Sequence, residues 1–184
     1  MKFTLLFLFR FGFGILDGDT IVSMAEKWDN VPDKVSCEIA GDMQKQEFNN
    51  RKTGVDINEA DVVEIMFNIT GCKIDSLEHV QAIINVAHPN RGAIEVVLVS
   101  GARTKTRLLA PRPKDTSEKG FTDWPLMSVE SWGEAPSDSW QLYIVNRGTG
   151  EGAQGVDWSV GDCKLVLHGL ERGLPNRNIN PKKL

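Results

Sequence analysis

The sequence predicts an all-β fold, a jelly-roll β-barrel or sandwich preceded by one short helix. From residue 62 onward, short runs rich in Val, Ile, Leu and aromatic residues recur, turn residues separate them, and no helical segment lies between them. Several short strands without intervening helices are typical of antiparallel sandwiches and jelly rolls. A chain of 184 residues is long enough for one such domain with additional segments.

Residues 17–28 predict the helix. Its apolar positions recur with the spacing of one helical face: Ile21, Met24, Ala25 and Trp28. Asp17 or Asp19 can cap its first turn, because a carboxylate accepts hydrogen bonds from amides that lack a helical partner. Residues 30–32 then end the helix.

The strands follow in chain order. Residues 33–58 are polar and irregular and predict a linker, apart from a first strand near residues 35–39. The turns at residues 89–92 and 100–102 have the length of hairpin connections. The other predicted strands cover residues 79–87, 94–100, 104–110, 140–145 and 163–168.

Three tryptophans, Trp124, Trp132 and Trp140, recur at intervals of eight among Gly, Pro, Ser and Asp residues. Helical faces recur at about 3.6 residues, so this spacing predicts strand ends and turns. The rings could form a sugar-binding surface or fill the interior of a β-domain. The interior is favoured because each ring buries a large area.

The bulk composition excludes some classes of partner. With 21 basic and 25 acidic residues the net charge is −4, which argues against nucleic acid as a partner. No apolar run approaches the ~20 residues that span a bilayer, so no integral membrane segment is predicted. Residues 1–10 are either a weak signal peptide or an arbitrary start within a longer protein.

The sequence predicts no catalytic residue and no metal or cofactor site in this chain. Two of the three histidines, His79 and His168, lie in predicted strands, and His88 lies in a turn. No serine and carboxylate frame them in a recognisable motif. Residues 17–19 resemble the start of a calcium loop but lack its later ligands.

Three cysteines are too sparse for a zinc site. In an oxidising compartment they predict one disulfide and one free thiol. Asn68 begins an Asn-Ile-Thr sequon, which predicts N-glycosylation and favours a secreted protein.

Several ordered segments together resemble the P domain, or Homo B domain, of the kexin and furin-like proprotein convertases. The resemblance covers residues 37–169, and the sequences of residues 12–28 and 77–81 are most similar to the neuroendocrine convertases. Residues 12–28 resemble the end of the subtilisin-like catalytic domain of the same family. The segments that carry the P-domain resemblance are LEHVQ at 77–81, NRG at 90–92, LLAPRPKD at 108–115, GFxxWPxMSxxxWGE at 120–134, WxL at 140–142 and LVLxG at 165–169.

The resemblance implies a division of the chain: residues 1–10 as the leader or arbitrary start, 11–30 as the end of the catalytic domain, 31–169 as the P domain and 170–184 as a polar tail. It implies a jelly roll that packs on the catalytic domain, stabilises it and tunes its calcium and pH dependence. The family's catalytic Asp, His and Ser lie upstream, so this chain alone is expected to be inactive. The parent would be a calcium-dependent serine endopeptidase that cuts precursors after paired basic residues in the secretory pathway.

The resemblance also implies particular site residues. The family's first P-domain cysteine pair matches Cys37 and Cys72, which predicts their disulfide, while Cys163 is read as a buried small hydrophobe. The predicted contacts with the catalytic domain are Leu126, Met127 and Trp132.

In one departure from the family pattern, Arg-Gly-Asp is replaced by Arg91, Gly92 and Ala93. Two other readings stay open: a free-standing secreted module that regulates a convertase in trans, and a glycan-binding sandwich.

Overall fold

The structure, a computed structural model, describes residues 14–28, 32–44, 61–137, 139–148 and 157–171. These ranges form helix α1 (Gly18–Ala25), a one-turn 3-10 helix (Arg91–Ala93) and ten strands. The strands are β1 (Lys34–Ala40), β2 (Asp42–Gln44), β3 (Asp61–Asn68), β4 (Ser76–Ala87), β5 (Ile94–Val99), β6 (Lys105–Leu109), β7 (Phe121–Ser128), β8 (Ser139–Asn146), β9 (Ser159–Val160) and β10 (Lys164–Leu170).

The strands form two antiparallel sheets of five strands each. The first sheet has the order β1-β10-β4-β7, with β9 paired to β4, and the second has the order β2-β3-β8-β5-β6. Strands that follow each other in the chain mostly belong to opposite sheets, so the connections cross the sandwich repeatedly. This arrangement confirms the predicted all-β sandwich of jelly-roll type.

The core lies between the two sheets. From Val80 to Val86 of β4 and from Lys164 to Gly169 of β10 every second residue is buried, because successive residues of a strand point to opposite faces. Trp140 is 1% exposed and lies in this core, as the interior reading of the tryptophans predicts. The largest side chains that share the core with it are Phe67, Ile65, Leu77, Ile84, Ile94, Leu98, Leu142, Ile144, Leu165 and Leu167.

All six predicted strands are present, as β1, β4, β5, β6, β8 and β10. The sequence prediction missed β2 inside the expected linker, and it also missed β3, β7 and β9. Strand β7 contains Asp123 and Pro125, which are residue types common in turns. Only three of its eight residues are buried, so its sequence lacks the alternating apolar pattern that predicts a strand. Trp124, which was expected at a strand end or turn, lies inside this strand.

One predicted hairpin is wrong. Residues 89–92 join β4 of the first sheet to β5 of the second, so this turn carries the chain across the sandwich. The turn at residues 100–102 does join paired strands, β5 and β6. There the Ser100 amide donates to the Thr104 carbonyl oxygen at 2.9 Å, and Arg103 has a positive φ of 71°.

Helix α1 begins as predicted. The Thr20 amide donates to Asp17 Oδ1 at 2.7 Å, and this hydrogen bond holds the pKa of the Asp17 carboxyl below its ordinary value. No residue of α1 is buried, and the apolar side chains of its predicted face are exposed, Ile21 by 44% and Met24 by 38%. None of the helices among the described residues has the length and apolar character needed to cross a membrane.

Some predicted segments lie outside the described residues. These are the leader at residues 1–10, residues 45–58 of the predicted linker and the tail beyond residue 171.

Candidate interaction surface

The side of the first sheet that faces away from the core carries a regular array of side chains, which we call the outer face. Residues directly opposite each other on antiparallel strands point to the same side, so the strand register arranges them in rows. The rows are Ser36, His168 and His79; then Glu38, Val166, Gln81 and Met127; then Ala40, Lys164, Ile83 and Pro125.

The outer face is apolar in its middle and sparsely charged. Val166 and Met127 belong to the same row, with Gln81 between them, and Ile83 belongs to the next row. The Met127 side chain is 62% exposed. Near the β1 edge, Lys164 and Glu38 form an ion pair at 2.8 Å. Exposed apolar side chains gathered on one sheet face are typical of a surface that another protein covers.

The three residues predicted to contact a catalytic domain do not share one environment. Leu126 is 8% exposed and belongs to the core, so its prediction as a surface contact is wrong. It points inward because its neighbour Met127 points outward, and strand side chains alternate. Trp132 lies in the turn after β7 and is 39% exposed.

The Trp132 turn is fixed to the first residues of β4. The Leu77 amide donates to the Glu134 carbonyl oxygen at 2.8 Å, and the Gly133 amide donates to the Leu77 carbonyl oxygen at 2.7 Å. Gly133 has a φ of +80°, a conformation that glycine adopts without strain. These backbone hydrogen bonds therefore hold the turn that contains Trp132 beside the start of β4.

A second half-exposed tryptophan belongs to a cluster at the other end of β7. Trp124 is 45% exposed and packs edge-on against Phe121, with ring centroids 5.7 Å apart. The Arg91 guanidinium lies 5.7 Å from the Phe121 ring and 6.0 Å from the Trp124 ring, within the range of cation–π attraction.

The same arginine ties two loops together. Arg91 Nε lies 2.9 Å from Asp115 Oδ2, and Arg112 Nη2 lies 3.3 Å from the same oxygen. The hydrogen bond from Arg91 is the main reason that the pKa of Asp115 lies below its ordinary value. The segments that resemble the P domain include residues of both loops, but nothing in the sequence indicates that the two loops are in contact.

The three histidines pack against neighbouring residues of the domain. His79 and His168 stack with centroids 4.3 Å apart, and Gln81 Oε1 lies 3.3 Å from His168 Nε2. Burial, followed by the neighbouring His79 and Lys34, lowers the pKa of His168. His88 is buried, and its Nδ1 accepts the Asn90 amide at 2.9 Å.

The cysteines divide into one pair and one buried thiol. A disulfide joins Cys37 of β1 to Cys72, with Cα atoms 5.9 Å apart. Cys163 is 3% exposed, as expected of a small hydrophobe, and burial raises the pKa of its thiol. Asn68 lies exposed at the end of β3, near the disulfide in sequence. Within the described ranges, no three His, Cys, Asp or Glu side chains come together as a metal site.

Comparison with known proteins assigns the domain. Residues 77–161 match the proprotein convertase P-domain family. Furin-like protease 1 of Drosophila melanogaster (isoforms 1/1-X/2) is 35% identical over 94% of this chain, and neuroendocrine convertase 2 of the same species is 33% identical over 93%. This chain spans only 13% and 25% of the lengths of those two proteins.

A solved structure supports the fold. The serine protease of Aeromonas sobria superposes with a TM-score of 0.58 at 18% identity, over 86% of this chain and 31% of that protein. At this identity the superposition supports the fold alone. With the sequence matches, this chain carries a proprotein convertase P domain and is similar in sequence to the furin-like and neuroendocrine convertases.

Proposed function

We propose that this chain is the P-domain region of a calcium-dependent serine endopeptidase that processes precursors after paired basic residues. Its role is to stabilise and regulate the subtilisin-like catalytic domain that it contacts in the parent protein. The matches to the P-domain family and to a furin-like protease support the proposed role in proteolysis. The exposed apolar surface of the domain carries the proposal that it docks.

Two exposed apolar features support docking. Met127 and Trp132 present apolar surface on and beside the outer face. Ile21 of α1 and Trp28, which lies three residues after the end of α1, are also exposed, by 44% and 46%. We propose that α1 is the last helix of the catalytic domain and that in the parent this domain covers both features.

The stabilising role follows from mass action. A partner surface that binds only the folded catalytic domain shifts the equilibrium away from the unfolded form. In a single chain the two domains stay at high effective concentration, so even a weak interface is occupied.

We assign the calcium requirement to the catalytic domain of the parent and not to residues of this chain. The proposed location is the secretory pathway or the extracellular space. Two features support that location: the Cys37–Cys72 disulfide, which persists in oxidising compartments, and the exposed sequon at Asn68.

A chimera tests the function. The aligned region of Drosophila furin-like protease 1 is replaced by this chain, and secreted activity on a peptide with paired basic residues is measured. We expect the chimera to be active and the double variant M127E/W132E to lose most of the secreted activity, because two carboxylates would be buried in the interface. The matched control is M43E, at a methionine on the second sheet that is 43% exposed. Equal activity of the double variant and the control would contradict the proposal.

The same assay separates the proposal from the alternative of a free module acting in trans. The catalytic region without its own P domain is expressed alone, and this chain is supplied as a separate protein. Under the proposal, activity depends on covalent linkage. Full activity from the separate chains would favour the free-standing module.

A further inference from the structure

Two imidazole rings stack on the outer face although they are far apart in the sequence. His79 of β4 and His168 of β10 are direct partners in the antiparallel register. Their ring centroids are 4.3 Å apart and their planes differ by 14°. Because Val80 and Leu167 are buried in the core, the alternation of strand side chains turns both histidines to the opposite side of the sheet. The stack therefore lies across the pairing of β4 with β10, the two inner strands of the first sheet.

The polar contacts of His168 suit a neutral ring. Its Nε2 lies 3.3 Å from Gln81 Oε1, so Nε2–H can donate to this amide oxygen and leave the lone pair on Nδ1. In the described part of the chain this Nδ1 is buried and has no hydrogen-bond partner. A proton added to Nδ1 would create a buried N–H group without an acceptor, which costs free energy. The geometry around His168 therefore favours imidazole over imidazolium.

Burial and the partner ring oppose protonation of His168 as well. Burial is the main reason that the pKa of His168 lies below its ordinary value of 6.5, and the neighbouring His79 is the next cause. Burial acts because removal of water penalises the charged ring more than the neutral one. His79 acts because two positively charged rings in a stack with centroids 4.3 Å apart would repel each other.

The charged side chains around the stack do not reverse this preference. Lys34 of β1 lowers the pKa of His168 further, and Glu78 of β4 raises it by less than the other causes lower it. Further along the outer face, Glu38 of β1 and Lys164 of β10 form an ion pair with each other at 2.8 Å. The surroundings on both neighbouring strands thus leave the stack uncharged near neutral pH.

We propose that the stack of His79 on His168 is an acid-sensitive switch, which stabilises the pairing of β4 with β10 only while both rings are neutral. Histidine is the side chain that ordinarily titrates between about pH 5 and pH 8. Below about pH 6.5, His168 binds a proton more readily in the unfolded chain than in the folded chain, because its folded pKa is lowered. The stabilisation is therefore complete above that pH and is lost as the pH falls toward the folded pKa. A compartment at about pH 5–6 would hold the domain in a less stable form than one near neutral pH.

Urea unfolding of the chain without a histidine tag, from about pH 7.5 to about pH 5, tests the switch. The wild-type midpoint should fall across this range. H168Q keeps a polar side chain but cannot titrate, so its midpoint should fall less. H88Q is the control, because it removes an imidazole that lies elsewhere: adding H168Q to H88Q should remove the same part of the fall as adding it to the wild type. Circular dichroism of each variant near neutral pH establishes that it is folded.

Nuclear magnetic resonance of the imidazole C–H groups measures the switch directly and does not depend on whether H168Q folds. His168 should titrate below pH 6.5 in the folded wild type, closer to pH 6.5 in H79Q, and as in the wild type in H88Q. Titration of wild-type His168 at or above pH 6.5, or a midpoint of folded H168Q that falls as steeply as that of the wild type, would overturn the proposal. Neither measurement needs a catalytic domain, so the outcome is independent of the docking proposal.

Discussion

The backbone of Gly92 lies directly against that of Asp115. The Gly92 amide donates to the Asp115 carbonyl oxygen at 3.0 Å, and a Cβ atom placed on Gly92 would lie 2.2 Å from that oxygen. The Arg112 amide also donates to the Gly92 carbonyl oxygen, at 2.7 Å. The loop after β4 and the loop before β7 are therefore joined by backbone contact that only glycine permits at this position.

Replacing Gly92 by alanine should destabilise the domain. The added methyl group must push apart two backbone segments, and overpacking of this kind costs about 1–3 kcal/mol. Urea unfolding of G92A should show a lower midpoint than the wild type. Ala93→Gly, at the next position of the same turn, is the control. A G92A midpoint equal to the wild type would show that the loops separate at no cost.

The ion pairs of Asp115 predict a dependence of stability on pH. The pKa of Asp115 in the folded chain lies below its ordinary value of 3.8, because Arg91 donates to the carboxylate. The stabilising contribution is therefore present above about pH 4 and is lost as the pH falls through the folded pKa. The difference in urea midpoint between wild type and D115N should be largest near neutral pH and should shrink as the pH falls below about 4. A difference that does not change with pH would contradict this assignment.

Leu126 and Met127 are adjacent in β7 and should respond oppositely to truncation. Leu126 is 8% exposed and Met127 is 62% exposed. Leu126→Ala removes core packing and should cost about 2–5 kcal/mol of unfolding free energy. Met127→Ala should change the stability of the isolated chain by less than about 0.5 kcal/mol. Similar losses in both variants would mean that β7 is not oriented as described.

The Cys37–Cys72 disulfide should contribute substantially to stability. It closes a loop with a sequence separation of 35 residues, for which the chain-entropy model gives about 3–4 kcal/mol. The C37S/C72S variant should unfold at a lower urea concentration than the wild type. Cys163→Ser, which replaces a cysteine outside the disulfide, serves as the comparison. If reduction left the wild-type midpoint unchanged, the bridge would have no stabilising role.

Asn68 should carry an N-linked glycan when the chain is expressed through a eukaryotic secretory pathway. Its side chain is exposed at the end of β3, where an enzyme can reach it. Deglycosylation should lower the apparent mass of the wild-type chain and leave N68Q unchanged. Identical migration of the two proteins before treatment would show that the sequon is not used.

The sequence predicted the elements whose composition reflects their burial. Strand β5, in which all six residues are buried, is apolar except for Glu95 and is bounded by turn residues. Strand β7 was missed because Asp123 and Pro125 face away from the core and dilute its apolar pattern. The ion pair between Arg91 and Asp115 could not be predicted either, because it depends on the contact between two loops that are distant in the sequence, the loop after β4 and the loop before β7.

The outer face shows the same limit. Leu126 and Met127 were predicted together as contacts with the catalytic domain, but only Met127 is exposed. The family resemblance does not say which side of a strand a residue occupies. His79 and His168 were both recognised as strand residues. Their stacking depends on the β4–β10 register, including the irregularity next to His168, which local sequence does not encode.

Hydroxyl-radical footprinting of Met127 and Trp132 tests docking most directly. Oxidation rates are measured by mass spectrometry in the isolated chain and in the chimera with a catalytic domain. We predict that both residues are protected several-fold in the chimera, while Met43 on the second sheet reacts equally in both. Equal oxidation of Met127 and Trp132 in the two proteins would contradict docking through this surface.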